Sequence, residues 1–241
     1  MRCGTVIDLS HKPVNLKPMN TDVQNVQLVF LDLDRTLIRK NSAFLWLFFA
    51  RKHGLATWQQ VFKGLFWLGH YALGLRDISD AYRDAIRDLR GQSEAVILAA
   101  TEQFFWVHVQ PLYRPGALDS IKVWQHADIP VVLLTSSSNY MASCVTRDLG
   151  LSDYLSSSYE VDAHGKYTGL VREPLAYGHG KCHLAENFLR ARNIAWEHCA
   201  FYTDSHSDLP MLERVGHPML VAPDPKLRRR AQQKNWPVVV W

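Results

Sequence analysis

The feature that most constrains this chain is the stretch 28–37, which reads LVFLDLDRTL. It begins as a short apolar run of Leu, Val and Phe, a pattern typical of a strand buried on both faces. Asp32 and Asp34 follow two residues apart, which in a strand points both carboxylates to the same side. Two carboxylates so close repel each other and are costly to desolvate, and a divalent cation would relieve both effects. The stretch therefore predicts either a cation site at the end of a buried strand or a plain polar turn.

Composition places the chain among ordinary globular proteins. It has 241 residues, 47% hydrophobic and 21% charged, enough for one large or two small domains. The net charge of +4 favours anionic ligands slightly without indicating a nucleic-acid partner. The four cysteines are scattered, with no Cys-x-x-Cys, which predicts free thiols in a reducing cytoplasm.

Two polar stretches carry weaker signals. Residues 1–24 hold Pro13 and Pro18 and lack the apolar core of a signal peptide, so we expect a mobile tail. A basic run at 226–230 lies on a predicted late helix, and a solvated helix face explains it better than a nucleic-acid patch.

Residues 42–75 are rich in aromatic and aliphatic side chains and lack the alternation of strands. Charged residues at 51–52 and at 63 keep each half below the roughly 20 uninterrupted apolar residues of a membrane span. Two helices joined near Gly54 are predicted, either as a helical core or as an apolar surface facing a lipid or an apolar ligand. With two further helices at 77–90 and 93–109, residues 42–110 form a predicted all-helical insertion.

The rest of the chain alternates helices and strands. The predicted helices are 117–126, 139–149, 181–192, 209–215 and 227–234, and the predicted strands are 130–135, 154–161, 167–171, 199–203, 219–222 and 238–241. This alternation favours an α/β fold, a Rossmann-like parallel sheet with helices on both faces. Asp32, Thr135 and Asp204 then fall at carboxyl ends of strands and should meet in one crevice.

Three further stretches fit that crevice. The hydroxyls and amides of 135–138 suit a phosphate at a helix N-terminus, or else a serine-rich capping turn. Gly178 and Gly180 allow close approach of a ligand beside Lys181, or else form a flexible turn. Asp204 and Asp208, four residues apart, suit a metal ligand and a residue that orients it, although a simple helix cap explains Asp208 equally.

Taken together, Asp32-Leu33-Asp34-Arg35-Thr36, Thr135, Lys181 and Asp204…Asp208 resemble, in order and spacing, the four motifs of the haloacid dehalogenase-like hydrolase superfamily. The resemblance covers about residues 26–241. The helical insertion after the first motif is similar to the cap of the phosphoserine-phosphatase-like branch. Arg35 stands where glycine is commonest, and Ser207 where the phosphoserine phosphatases usually carry asparagine.

The resemblance implies roles for these residues. Asp32 would be the nucleophile and Asp34 the general acid and base. Thr135, Ser136 and Lys181 would bind the phosphoryl group, with Thr36 and Asp208 supporting the site from behind. Mg²⁺ would be held by the Asp32 carboxylate, the Asp34 main-chain carbonyl and Asp204. Residues 25–41 and 111–241 would form the catalytic core, and residues 42–110 the cap.

The implied function is a magnesium-dependent phosphatase acting on a small phosphorylated metabolite, as a monomer or homodimer. The alternatives are a lipid-phosphate phosphatase at a membrane surface, a phosphotransferase with the same intermediate, and a non-enzymatic binding protein that has kept the fold and lost the activity. The cap shows no obvious polar set for a free amino acid, so we expect an apolar or aromatic leaving group. His179 and His206 lie near the site in sequence and are interpreted as packing residues.

Overall fold

A seven-stranded sheet lies at the centre of the computed structural model, which describes residues 25–72 and 78–241. The strands are β1 (Leu28–Leu31), β2 (Val131–Ser138), β3 (Asp153–Val161), β4 (Tyr167–Arg172), β5 (Cys199–Thr203), β6 (His217–Val221) and β7 (Val238–Val239). Their spatial order is β4-β3-β2-β1-β5-β6-β7, and every neighbouring pair is parallel except β3 and β4. The predicted α/β class with a mainly parallel sheet is confirmed.

Nine helices accompany the sheet within the described ranges. They are α1 (Ser42–Lys52), α2 (Trp58–Ala72), α3 (Ile78–Arg87), α4 (Glu94–Phe104), α5 (Pro115–His126), α6 (Asn139–Leu149), α7 (His179–Arg190), α8 (Leu209–Leu212) and α9 (Pro225–Lys234). After α4 the chain continues through a wider helical turn, Phe105–Val109, and a short 3-10 turn, Gln110–Leu112. None of the helices in these ranges is both long and apolar enough to cross a membrane.

The alternation of side chains along β1 explains why both faces of the sheet are covered. Val29 and Leu31 pack into one apolar cluster with residues of α5 and α6, whereas Leu28 and Phe30 pack into a second cluster with α7 and α9. The ring centroids of Phe30 and Phe188 of α7 are 6.3 Å apart, an edge-on contact. Since all four β1 side chains are buried, the strand needs helices on both sides.

Element boundaries differ from the sequence predictions by a few residues. Strand β2 runs on to Ser138 instead of ending at Thr135, with an irregular register against β3 after Thr135. Helix α7 begins at His179, two residues earlier than expected, and the closing strand is limited to Val238–Val239. The N-terminal segment 1–24 and the helix start expected at Asp77 lie outside the described residues. The three cysteines in the described ranges, Cys144, Cys182 and Cys199, are free and buried, as predicted for that part of the chain.

The four helices α1–α4 are inserted between β1 and α5, as predicted, but the base of this insertion shares the core of the sheet. Phe49 of α1 and Phe104 of α4 belong to the same buried cluster as Leu37 and Met141. The Phe49 and Phe104 rings lie 5.1 Å apart. The insertion is therefore anchored by apolar packing at its root, and the proposed domain limits of 42–110 remain a prediction.

We predict that Phe104→Ala destabilises the protein by about 3–5 kcal/mol, because it removes a large side chain from a filled core. Phe104 is 1% exposed. The free energy of unfolding from urea titration measures the change. Phe62→Ala is the matched control, since Phe62 of α2 is 65% exposed, and it should change stability by no more than about 0.5 kcal/mol. Equal effects of the two substitutions would contradict the shared core.

Candidate active site

The predicted site residues come together at the carboxyl ends of the adjacent strands β2, β1 and β5. A crevice of about 140 Å³ opens there, and Asp32, Asp34, Lys181 and Asp204 all line it. Ser136 lines it as well, from the end of β2. Five of the residues predicted for catalysis, phosphate binding or metal binding are therefore brought together by the sheet.

The two acids of the first motif reach the crevice by a different route from the one expected. Strand β1 ends at Leu31, so Asp34 lies in a tight loop and not in a strand. The loop turns through Arg35, whose φ of 59° lies in the left-handed region that glycine adopts most easily. Buried Leu33 and Leu37 anchor it on either side. The sequence analysis expected both carboxylates to point the same way because they were two residues apart in a strand. That reason was wrong, although both carboxylates do line the same crevice.

Lys181 is the cation that joins the carboxylates. Its Nζ lies 2.7 Å from Oδ1 of Asp32 and 2.9 Å from Oδ2 of Asp208, and all three side chains are buried. Burial alone would lower the pKa of Lys181, but the attraction of Asp208 and Asp32 outweighs it and raises that pKa. Burial raises the pKa of Asp32, and Lys181 opposes the shift.

A close backbone approach at the start of α7 positions Lys181. A Cβ on Gly180 would clash with the main-chain oxygen of Leu175, so a side chain is excluded there. Gly178, just before the helix, has a φ of 51°. The two glycines singled out in the sequence therefore shape the turn that presents Lys181, and Gly180 does so by packing against protein backbone.

Asp34 is bound to the first turn of the inserted helices. The Ser42 main-chain N–H at the start of α1 donates to its Oδ1 at 2.6 Å, and the Ser137 hydroxyl donates to its Oδ2 at 3.5 Å. Burial raises the pKa of Asp34, and the bonds from Ser42 oppose that shift. Nothing in the sequence pointed to Ser42, because its contact depends on where the loop places the start of α1.

Asp204 and Asp208 have different surroundings. Asp204 accepts a bond from the Thr36 hydroxyl at 3.4 Å and lies 3.3 Å from Nε of Arg35. Burial raises the pKa of Asp204 to about 7, against the effect of Arg35. Asp208 accepts from Thr203 at 2.6 Å and from Lys181, and its side chain makes no helix-capping bond, so the simple-cap interpretation is wrong.

The residues at the serine-rich end of β2 make different contacts. Thr135 is buried, and its hydroxyl accepts a bond from the Ser137 N–H at 3.1 Å. Ser136 and Ser137 line the crevice, whereas Ser138 caps α6 by accepting from the Met141 N–H. Thr135 therefore lies behind the lining, and its assignment as a phosphate ligand stays a prediction.

Four residues at the site were missed or assigned no contact from the sequence. Ser137 belongs to the serine run predicted to suit a phosphate, but its contact with Asp34 was not predicted, and Arg35 was noted only as a replacement for glycine. Ser42 and Thr203 carried no signal. His179 and His206 do not line the crevice in the described chain.

The residues fit a hard cation bound by mixed ligands. Among the described residues, no group of three or more Asp, Glu, His or Cys side chains forms a metal cluster. Two buried carboxylates, Asp32 and Asp204, nevertheless face one crevice with raised pKa values, and a divalent cation would favour their ionised forms. A main-chain carbonyl such as that of Asp34 would complete such a site.

Comparisons with known proteins agree with this geometry. The family model described as haloacid dehalogenase-like hydrolase matches residues 29–213. A probable phosphatase of Mycobacterium tuberculosis is 33% identical over 220 residues, which cover 87% of this chain and 74% of that protein. The phosphoserine phosphatase SerB1 of the same species is 26% identical over 246 residues, covering 95% of this chain and 78% of its own.

The fold also matches a solved structure. A crystal structure of a Bordetella pertussis protein superposes with a TM-score of 0.81 at 24% identity, covering 89% of this chain and 98% of the other. The family match spans most of the chain, and residues of the first, third and fourth motifs line one crevice, with Thr135 of the second motif behind its lining. The chain is similar to the phosphoserine phosphatase-like branch of the haloacid dehalogenase-like hydrolases; it belongs to that family of hydrolases and is a phosphatase of that type.

Proposed function

We propose that this protein is a magnesium-dependent phosphomonoester hydrolase that works through an aspartyl-phosphate on Asp32 and acts on a small phosphorylated metabolite. One observation carries the proposal. The buried carboxylate of Asp32 lies 2.7 Å from the ammonium of Lys181 in a crevice that also contains Asp34, Asp204 and serine hydroxyls. This arrangement supports the roles of Asp32 as nucleophile, Asp34 as proton carrier and Lys181 as phosphate-binding cation toward one phosphoryl group.

In the first step, an Asp32 carboxylate oxygen attacks phosphorus and forms a P–O bond as the ester P–O bond breaks. Lys181 contacts Oδ1 of Asp32 and would also contact the phosphoryl oxygens, where negative charge is spread in the transition state. Ser136 and Ser137 offer hydroxyls to the same oxygens. Thr135 holds the Ser137 main chain in place for this role.

Asp34 carries the proton. Burial favours its protonated form, and in that form it gives the proton to the leaving alkoxide. In the second step Asp34 takes a proton from water, which attacks phosphorus and breaks the bond to Asp32. Inorganic phosphate leaves and the Asp32 carboxylate is restored. Ser42 and Ser137 hold the Asp34 carboxylate in one position through both steps.

The Asp32 and Asp204 carboxylates and the Asp34 carbonyl would hold Mg²⁺, whose charge reduces the repulsion between nucleophile and phosphate. Thr36 orients Asp204 from behind, and Asp208 holds Lys181. Arg35 neutralises Asp204 in the present arrangement. Asp204 and Lys181 are therefore each held in place by a neighbouring side chain.

The two acids should be separable by substitution. Asp32→Asn should abolish turnover of an aryl phosphate and leave no phosphoenzyme, because an amide is a poor nucleophile. Asp34→Asn should keep the nucleophile but lose acid–base assistance, a decrease of about 10²–10⁴-fold in kcat. Steady-state rates and the mass of the acid-quenched enzyme measure both effects.

Asp128→Asn is the matched control for these variants. Asp128 is exposed, and its φ of 56° is one that asparagine adopts readily, so the variant should keep wild-type rates. Substantial turnover by Asp32→Asn, with loss only in Asp34→Asn, would show that the assigned roles are wrong.

Magnesium binding should depend on pH. Burial raises the pKa of Asp204 from its ordinary value of 3.8 to about 7. The protonated carboxyl therefore stabilises the metal-free fold fully below pH 3.8, and this stabilisation is lost as the pH rises through about 7. Mg²⁺ needs the ionised form. The increase in Tm on adding Mg²⁺ should therefore be small at about pH 6 and larger at about pH 8, as thermal unfolding would measure.

Asp204→Asn should reduce this increase at both pH values, because it removes a charged oxygen ligand. The aryl phosphatase activity of the wild type should disappear in chelator and return with Mg²⁺. Full activity in excess chelator, or an increase in Tm that Asp204→Asn leaves unchanged, would contradict the metal assignment.

A further inference from the structure

A second cavity lies beneath the inserted helices, beside the active-site crevice. Its volume is about 290 Å³, close to the lower end of the range of small-molecule sites, about 300–1,000 Å³. We call it the cap cavity. The wall is largely apolar, with contributions from all four inserted helices and from α6, and its larger apolar residues include Trp46, Leu47, Trp67, Leu68, Ile97 and Phe104.

The cap cavity and the active-site crevice share part of their walls. Ala43, Leu68, Tyr82 and Ser137 line both. Ser137 is also the residue whose hydroxyl contacts the Asp34 carboxylate. A substituent on the oxygen that Asp34 protonates would therefore lie next to the opening of the cap cavity.

The two charged residues in the wall are already paired with each other. Lys63 lies 3.3 Å from Asp88, and these are the charged residues that line the cavity in the described ranges. The Tyr82 hydroxyl lies 2.8 Å from that of Tyr159. An ammonium and a carboxylate, such as those of phosphoserine, would lose water here without gaining a free charged partner among the described residues.

We infer that the substrate is a phosphate monoester of an apolar alcohol, whose alkyl chain or ring system occupies the cap cavity during the reaction. This inference rests on the proposed function and adds the class of leaving group. Hydrophobic burial of the leaving group supplies binding energy, and Asp32, Asp34 and Lys181 act on the phosphoryl group at the cavity's edge.

The apolar alcohol reaches the cavity from solution or from a membrane. Helix α2, which lines the cavity, carries on its outer surface Trp58, Phe62 and Phe66, all exposed. These residues are spaced by four and so share one face of the helix. The experiment below therefore includes a vesicle-held ester as well as soluble esters.

The test measures kcat/KM for monoalkyl phosphates from ethyl to decyl, kept below their micelle concentrations, and for phosphoserine. Burial of each added methylene should raise kcat/KM about two- to fourfold until the chain fills the cavity. Phosphoserine should be a poorer substrate than octyl phosphate. This dependence on chain length is measured on the wild type and does not depend on the folding of any variant.

Two substitutions on α1 test whether the dependence on chain length arises in the cap cavity. Leu47 lines the cap cavity, whereas its neighbour Phe48 is exposed and outside the lining. Leu47→Gln should lower kcat/KM for octyl phosphate about tenfold and leave ethyl phosphate nearly unchanged, since only the longer ester reaches the wall. Phe48→Gln should leave both values at the wild-type level.

Phe62→Gln distinguishes the two sources. If the ester comes from a membrane, this variant should lose turnover of hexadecyl phosphate in phosphatidylcholine vesicles and keep that of soluble octyl phosphate. Equal turnover of both by Phe62→Gln and wild type would assign the substrate to solution. Either result agrees with an apolar occupant of the cavity.

Values of kcat/KM that stay flat with chain length, or a preference for phosphoserine, would overturn the inference while aryl phosphatase activity with Mg²⁺ upheld the proposed function. An absence of turnover of every ester, the aryl phosphate included, would overturn the proposed function itself.

Discussion

The buried ammonium of Lys181 between Asp32 and Asp208 is the interaction on which the rest of the site depends. It joins the end of β1, the start of α7 and the turn before α8, three segments far apart in sequence. Removing charged groups from water costs several kcal/mol for each ion unless partners are close and well placed. The packing of α7 against β1 is therefore tied to the position of the Asp32 carboxylate, and Gly180 lets the start of α7 approach the Leu175 main chain.

The fold and much of the crevice could be predicted from the sequence because both depend on local patterns. Apolar runs such as 28–31 and 199–203 show the strands, and the carboxyl ends of parallel strands meet at one edge of a sheet. Asp32 and Asp204 were found in this way, whereas Lys181 was found from the glycine-rich turn that opens a helix. The argument failed for Asp34, because a period of two holds only within a strand and the strand ends three residues earlier.

The residues that hold Asp34 and Asp208 in place could not be predicted, because their contacts depend on how loops and separate elements are placed in the fold. Ser42 binds Asp34 only because α1 begins where the loop after β1 places it. Thr203 and Asp208 are close in sequence, but their hydrogen bond positions a carboxylate that also accepts from Lys181, which lies on α7. The aromatic segment 42–75 had two interpretations, core or exposed apolar surface. Phe49 is buried in the core while Phe48 is exposed, and a surface that faces a lipid or an apolar ligand stays a prediction.

The left-handed backbone at Arg35 has a consequence for how this family diverges in sequence. A residue with a Cβ in that conformation costs about 1–2 kcal/mol relative to glycine. The turn itself is held by Leu33, Leu37 and their main-chain bonds, so its shape does not require arginine. What arginine adds is the contact with Asp204. The position is thus free to exchange glycine for a cation without altering the path of the chain, and a search pattern that insists on glycine would pass over relatives whose loop keeps the same shape and both aspartates.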